Sequence, residues 1–384
     1  MTDELRLGIV GFGWMGEVHA RAVSRLAHHF ADLPRRVRVV AAADPAPDDR
    51  LGRAARAYGA EVLVEDWHDL VARDDVDVVS VTGPNHVHRD VAVAAARAGK
   101  HLWVEKPAGR TAVETREIAA AAREAGVQAT VGFNYRNAPA VQRARELVAS
   151  GRIGAVTHTT VRFLSDYAAH PAGALTWRFR QDLAGSGVLG DLVSHAVDLA
   201  RHVVGEIGEL VADDGRFIPR RPAAVGAASH FSRGGQGPLQ EVENEDYVSA
   251  LLRFADGSRG VLEAGRTSVG EQCSYGIEVH GERGALAWDF RRMGELRVCL
   301  DQDYQDASYA TVFVGPEDGV VSAFQPGAGI AMGYDDLKVV EALRLVESIA
   351  TGTPRGATID DAVVAAEIVE AMRASIVERR WVAL

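Results

Sequence analysis

The 384-residue chain is predicted to be an α/β protein: an N-terminal doubly wound parallel sheet followed by a C-terminal α+β domain on a mostly antiparallel sheet. Three observations predict this. A short apolar run, residues 5–10, leads directly into a G-x-G-x-x-G turn. Strand-like and helix-like stretches then alternate to about residue 132, a βαβ rhythm that calls for a parallel sheet. Beyond it, runs of two-residue alternation divided by glycine turns precede two long helical stretches.

The first strand carries Leu5, Leu7, Ile9 and Val10. The turn reads Gly11-Phe12-Gly13-Trp14-Met15-Gly16, and residues 17–26 continue as a helix. Gly11 is needed for the bend, Gly13 for close approach of the backbone to a pyrophosphate, and Gly16 for helix–strand packing. The N–H groups of the helix start then face the phosphates, which makes all six turn residues expected cofactor contacts. The competing reading is a glycine turn that serves packing alone. Residues 37–43 form a buried strand closed by Asp44-Pro45. An aspartate there accepts the ribose hydroxyls of NAD and repels a 2′-phosphate. Its distance from the glycines exceeds the usual ~20 residues, and residues 28–36 account for the excess as a lengthened helix end and loop. Arg50 could swing onto a phosphate, which leaves NADP open beside NAD.

Residues 51–58 follow as a helix, 77–81 as a buried strand, 88–98 as an alanine-rich helix stopped by Gly99, and 101–104 as a strand. Residues 111–125 form a helix stopped by Gly126, and 127–131 form the last strand. The domain boundary is expected at 132, giving 1–132 for the dinucleotide and 133–384 for substrate. In the second part, 138–150 is a helix. Strands follow at 156–164, 247–254, 258–264, 275–280, 285–290 and 296–300. Residues 216–243, rich in Gly, Pro and Arg, read as a long surface loop, and 335–351 and 359–378 as the closing helices.

Bulk properties narrow the function. With 42 basic against 53 acidic residues the net charge is −11, which argues against a nucleic-acid footprint or a basic membrane-binding surface. The N-terminus lacks the cationic and apolar regions of a secretory signal, and no apolar run reaches the ~18 residues of a membrane span. Cytoplasmic location is the expectation. Two cysteines, Cys273 and Cys299, make neither a disulfide framework nor a zinc cluster. The 13 histidines are scattered, and His86-Val-His88 is too sparse for a ligand set, so no metal is expected.

Three further patterns lie where chemistry is expected. Thr82-Gly83-Pro84-Asn85-His86-Val87-His88 follows a buried strand and so lies at the carboxyl end of the sheet, where cofactors bind. Thr82, Pro84, Asn85 and His88 are candidate contacts, the alternative being a plain turn with Asn85 capping a helix. Glu105-Lys106-Pro107 stands at the next strand tip, and Pro107 restricts the backbone of Lys106. Lys106 suits a substrate oxygen, whereas a surface ion pair is the plain alternative. The third pattern is a glycine-rich run from Gly185 to Gly190 that leads into Asp191, His195 and Asp198. No strand precedes it, so a second dinucleotide turn is rejected. At i, i+4 and i+7 the three polar residues share one face of an otherwise apolar helix. They face a cleft, or Asp191 caps the helix and His195 is a satisfied core histidine.

Together these motifs resemble the Gfo/Idh/MocA family of oxidoreductases over nearly the whole chain. Residues 132–136 (Gly-Phe-Asn-Tyr-Arg) and 175–179 (Leu-Thr-Trp-Arg-Phe) resemble family segments. Trp177-Arg178-Phe179, Glu278-Val279-His280-Gly281 and Gly333-Tyr334 resemble its levoglucosan dehydrogenase-like members. The resemblance implies a Rossmann domain, a C-terminal open-faced sheet that makes a homodimer or homotetramer contact, and a Lys106, Asp191 and His195 active site. It implies NAD(P)-dependent hydride transfer at a secondary alcohol of a sugar, anhydrosugar or inositol-like polyol. His195 is then the general base, Lys106 holds the same oxygen, and Asp191 orients a neighbouring hydroxyl. Glu105, Trp177 and Arg178 join the expected cofactor contacts. Tyr135, Trp177, Arg178 and Tyr334 are candidates to line the sugar pocket, with Asp191 and His195 as further sugar contacts, the alternative being that the aromatics are core. Val193-Ser194 departs from relatives that carry a glycine there. The alternatives are a non-catalytic NAD-bound sugar sensor or regulator, and an NAD-dependent glycosidase working by oxidation and elimination.

Overall fold

The computed structural model describes residues 4–224, 232–235, 237–301 and 303–384. The chain divides into two compact units, Met1–Asn137 with Met332–Val364, and Ala138–Ala331 with Ala365–Leu384.

The first unit alternates β1 (Glu4–Val10), α1 (Trp14–His29), β2 (Arg36–Ala43), α2 (Asp49–Ala57), β3 (Val62–Val64), α3 (Trp67–Val71), β4 (Val78–Val81), α4 (Asn85–Arg97), β5 (His101–Val104), α5 (Ala112–Ala125) and β6 (Ala129–Val131). The strands form one sheet in the order β3-β2-β1-β4-β5-β6, and every pair is parallel. This is the doubly wound arrangement that the alternating pattern predicts. The strands β1 and β4 are buried nearly throughout, as a sheet covered on both faces requires. β3 and α3 were not expected: three and five residues are too short to display a period. α4 begins at Asn85 itself with Pro84 at its cap position and no side-chain cap, which corrects the reading of Asn85 as a helix cap.

The second unit begins with α6 (Pro139–Ala149) and β7 (Val156–Leu164). Then come α7 (Gln181–Ala184), a π-helical turn at Leu189–Val193, α8 (Ser194–Val203) and β8 (Ile207–Gly215). The expected loop at 216–243 contains β9 (Arg220–Pro222) and β10 (Leu239–Glu241), paired antiparallel, while 225–231 and 236 lie outside the described residues. β11 (Tyr247–Phe254), β12 (Arg259–Gly265), β13 (Ser274–Gly281), β14 (Gly284–Asp289), β15 (Glu295–Leu300) and β16 (Ala310–Phe313) follow. The chain ends with α9 (Tyr334–Thr351), α10 (Ile359–Glu378) and β17 (Val382–Ala383).

Nine of these strands form a sheet in the order β16-β15-β14-β13-β7-β12-β11-β8-β17. β7 and β12 pair in parallel and the other neighbours are antiparallel. Thr159, Val161 and Phe163 of β7 face the core, where α8 packs, and Thr160 and Arg162 face outward. Leu251 and Val261 stand opposite each other on the outward face at 51% and 45% exposure. Among the described residues no helix is long and apolar enough to cross a membrane.

Candidate active site

Strand register explains why the N-terminal motifs gather. Val10 pairs with Ala43 on one side and Val81 on the other, and Val81 pairs with Val104. The residues that follow are Gly11, Asp44, Thr82 and Glu105, so four predicted positions line one edge of the sheet. This is the carboxyl edge, on both sides of the point where strand order reverses.

The glycine turn has the shape a dinucleotide needs. Gly11 has φ +87°, and a Cβ there would lie 2.5 Å from Gly83. A Cβ on Gly16 would lie 2.4 Å from the Gly11 carbonyl, so this glycine permits the strand–helix contact. Nothing lies within 4 Å of a Cβ on Gly13: its free side faces open space, where a phosphate can approach. α1 starts at Trp14 with no side-chain cap, leaving its first N–H groups to an anion. Phe12 points the other way and is fully buried, and Met15 is half-buried. Asp44 accepts the Phe12 N–H at 3.1 Å and the Ala46 N–H at 3.1 Å, which fixes its carboxylate beside the turn. Arg50 is engaged by Glu17 at 2.9 Å. The residues present therefore fit a dinucleotide with free ribose hydroxyls.

The second strand-tip loop supports the first. Thr82 Oγ1 donates to the Gly11 carbonyl at 2.7 Å. The buried His88 ring reaches the Gly83 carbonyl at 2.8 Å and the Pro107 carbonyl at 2.9 Å, tying the loops after β4 and β5 together. Lys106 is half-buried, and its backbone N–H donates to Glu105 Oε2 at 3.1 Å. Glu105 is 5% exposed, and its side chain is turned inward against His19 and Lys338. Trp14 stacks on Tyr334 at 5.9 Å, and Tyr135 meets Tyr334 edge-on at 6.1 Å.

In the second unit Asp191 and His195 come together on a distorted helix start. Asp191 lies in the π-helical turn, and His195 is the second residue of α8. The helix is not regular α throughout as the i, i+4, i+7 spacing assumed: a π turn takes more residues per revolution than an α turn, and it still leaves Asp191 and His195 about one revolution apart. Asp198 is 3% exposed and faces the core. The turn has no side-chain cap; instead Glu245 accepts the Leu189 N–H at 2.9 Å. Gly187 is required here, since a Cβ would fall 2.0 Å from the Glu245 carbonyl. Ser194 Oγ donates to the Gly190 carbonyl at 2.7 Å.

Asp191 and His195 each have a partner that sequence reading missed. The Tyr167 hydroxyl donates to Asp191 Oδ2 at 2.7 Å. Burial, and then the charge of Asp191, raises the Tyr167 phenol well above its usual range, so it remains a donor. The Tyr275 hydroxyl donates to the His195 carbonyl at 2.8 Å, and His195 itself is 5% exposed. Tyr167 sits in a loop after β7 and Tyr275 is the second residue of β13, and no local motif marks either. Trp177 and Arg178 lie in a short 3₁₀ turn of the same unit, with the guanidinium 4.3 Å over the indole, and Asn244 Nδ2 donates to the Arg178 carbonyl at 2.9 Å.

Comparison with known proteins agrees with this frame. Residues 5–133 match the oxidoreductase family with an NAD-binding Rossmann fold, and residues 141–287 match the Gfo/Idh/MocA C-terminal domain. Levoglucosan dehydrogenase of Pseudarthrobacter phenanthrenivorans is 35% identical, with 99% of this chain and 98% of that protein covered. Inositol 2-dehydrogenase of Rhizobium meliloti is 28% identical over 86% of this chain and 92% of its own. A solved levoglucosan dehydrogenase in complex with NADH and L-sorbose superposes with a TM-score of 0.93 at 32% identity, covering 100% of this chain and 99% of that one. Glycine turn, strand order, second domain and full-length likeness converge, and the chain belongs to the Gfo/Idh/MocA oxidoreductase family with its NAD-binding Rossmann fold.

Proposed function

We propose that this enzyme oxidises a secondary alcohol of a sugar, anhydrosugar or polyol with NAD, levoglucosan being the first substrate to try. The observation that carries the reading is the full-length likeness to levoglucosan dehydrogenase in a chain that carries Lys106, Asp191 and His195. NAD, when bound, supplies the hydride acceptor. The glycine turn and the α1 N-terminus hold its pyrophosphate, and Asp44 holds the adenosine ribose. His195 takes the hydroxyl proton as general base. Lys106 donates a hydrogen bond to the same oxygen and favours the developing negative charge. Asp191, held by Tyr167, accepts from a neighbouring hydroxyl and so orients the ring. Tyr135 and Tyr334 offer aromatic surface to the sugar's C–H face. The outward face around Leu251 and Val261 is where a second copy docks, which light scattering reads as a dimer or tetramer.

Purified protein with NAD or NADP and a panel of anhydrosugars, pyranoses and inositols should develop absorbance at 340 nm with NAD and at least one member. No signal in either direction, with NADH binding intact, overturns the dehydrogenase reading and leaves a sugar-sensing regulator.

A further inference from the structure

Arginine supplies nearly every cation in this chain: of 42 basic residues only Lys100, Lys106 and Lys338 are lysines. One carboxylate in the first unit joins two of these three. Glu105 Oε2 accepts the backbone N–H of Lys106 at 3.1 Å, and Glu105 Oε1 accepts from Lys338 Nζ. Lys338 comes from α9, is fully buried, and also donates to Glu341 Oε1 at 2.9 Å. Trp103 Nε1 donates to that same Glu341 oxygen at 2.7 Å.

His19 completes the enclosure. Its Nε2 lies 3.0 Å from Glu105 Oε1, its Nδ1 lies 2.8 Å from Ser80 Oγ, and its ring stacks on Trp103 at 3.7 Å. Burial lowers the imidazole to about 4, against the pull of Glu105, so the neutral ring donates to Glu105 and accepts from Ser80. Burial alone would push the Glu105 carboxyl up, but the Lys338 ammonium and His19 outweigh it and hold it well below the usual carboxylate range. His19, Glu105 and Glu341 are close enough together to resemble a metal-ligand set. The Lys338 ammonium, however, already bonds both carboxylates and is the cation of this cluster. A compact ammonium with three N–H donors can serve oxygens of two carboxylates at once.

A buried ion cluster is a poor source of stability, since desolvation offsets its attraction. Its placement suggests what it does instead. The Lys106–Pro107 segment is held at one end by Glu105 and at the other by His88, which reaches the Pro107 carbonyl at 2.9 Å. We propose that Lys338 and Glu105 are positioning residues for Lys106: the ammonium from α9 fixes the carboxylate, and the carboxylate fixes the backbone from which Lys106 reaches its oxygen. Glu105 then serves Lys106 and not the cofactor. The inference rests on the reading of Lys106 as the donor to the substrate oxygen.

The test uses the full chain with Lys338→Met and, separately, Glu105→Gln. Brief labelling with an amine reagent, read by peptide mass spectrometry, reports Lys106 against Lys100 in the same molecule. Lys100 is the internal reference because its Nζ is held by the Arg73 and Val76 carbonyls at 2.8 and 2.7 Å, away from the cluster. Labelling of Lys106 should rise about threefold or more in both variants while Lys100 stays constant, and kcat should fall roughly 10- to 100-fold with NADH affinity held within about twofold. Unchanged Lys106 labelling, or a parallel rise at Lys100, overturns the proposal. If Lys338→Met does not fold, Glu105→Gln decides by the same measurement. Absence of turnover in the unmodified protein would count against the dehydrogenase reading, whereas the labelling ratio still decides this one.

Discussion

Replacing Tyr167 with Phe tests the site through a single atom. The partly buried ring packs against Ala168, Leu175, Phe179 and Val242, so Phe keeps the packing and removes only the hydroxyl. That hydroxyl donates to Asp191 Oδ2 at 2.7 Å. A hydrogen bond to a charged group contributes about 1.5–3 kcal/mol, and each 1.4 kcal/mol is roughly a factor of ten. If Asp191 orients the sugar, the lost restraint appears in catalysis, and kcat/KM for the sugar should fall roughly 10- to 100-fold. The Kd for NADH, measured by fluorescence, should stay within about twofold, because Tyr167 lies in the second unit and the glycine turn in the first. Tm should drop by only a few degrees, in line with one hydrogen bond in a large protein. Full kcat/KM in a folded Tyr167→Phe protein would refute the role of Asp191 as the orienting group, since its buried donor would then be dispensable.

Three further outcomes are expected. His195→Ala should lower kcat by about 10²- to 10⁴-fold, the usual contribution of a general base, with NADH affinity unchanged in equilibrium titration. Asp44→Ser should raise kcat/KM with NADP by roughly tenfold or more and weaken NAD, as repulsion of a 2′-phosphate is relieved; steady-state kinetics with both cofactors reads this. Acid should destabilise the first unit. The His19 ring, lowered to about 4 by burial, binds fewer protons folded than unfolded. Its contribution is therefore present above about pH 6.5 and is lost as pH falls toward 4. Glu341 in the same cluster, raised to about 7 by burial, binds more protons folded than unfolded and opposes this slope. The His19 contribution is therefore read as the difference in urea-unfolding stability between the unmodified protein and His19→Gln, which should shrink as pH falls from about 6.5 toward about 4.

Much of the molecule was legible in one dimension. Residues 5–16 announce a strand, a phosphate-binding turn and a helix because each glycine answers a separate local demand, and the structure finds Gly11 at positive φ and Gly16 against a carbonyl. The parallel sheet followed from buried strands alternating with helices, and the second sheet from two-residue alternation such as that of β7 and β11. Local patterns carry such information because secondary structure and turns are decided by near neighbours in sequence.

Contacts between distant residues carry no such signal. Tyr167 and Asp191 meet across 24 residues, and Lys338 reaches Glu105 across 233. The π turn at Leu189–Val193 starts against Glu245, 56 residues on, whose side chain accepts the Leu189 N–H and whose backbone leaves no room for a Cβ at Gly187. By itself the sequence determined the fold class, the cofactor turn and the residue types available for chemistry. The tertiary structure alone decided that α9 returns to the first unit and buries its lysine against Glu105, because charge neutralisation in a buried site depends on which groups meet in space, whatever their separation along the chain.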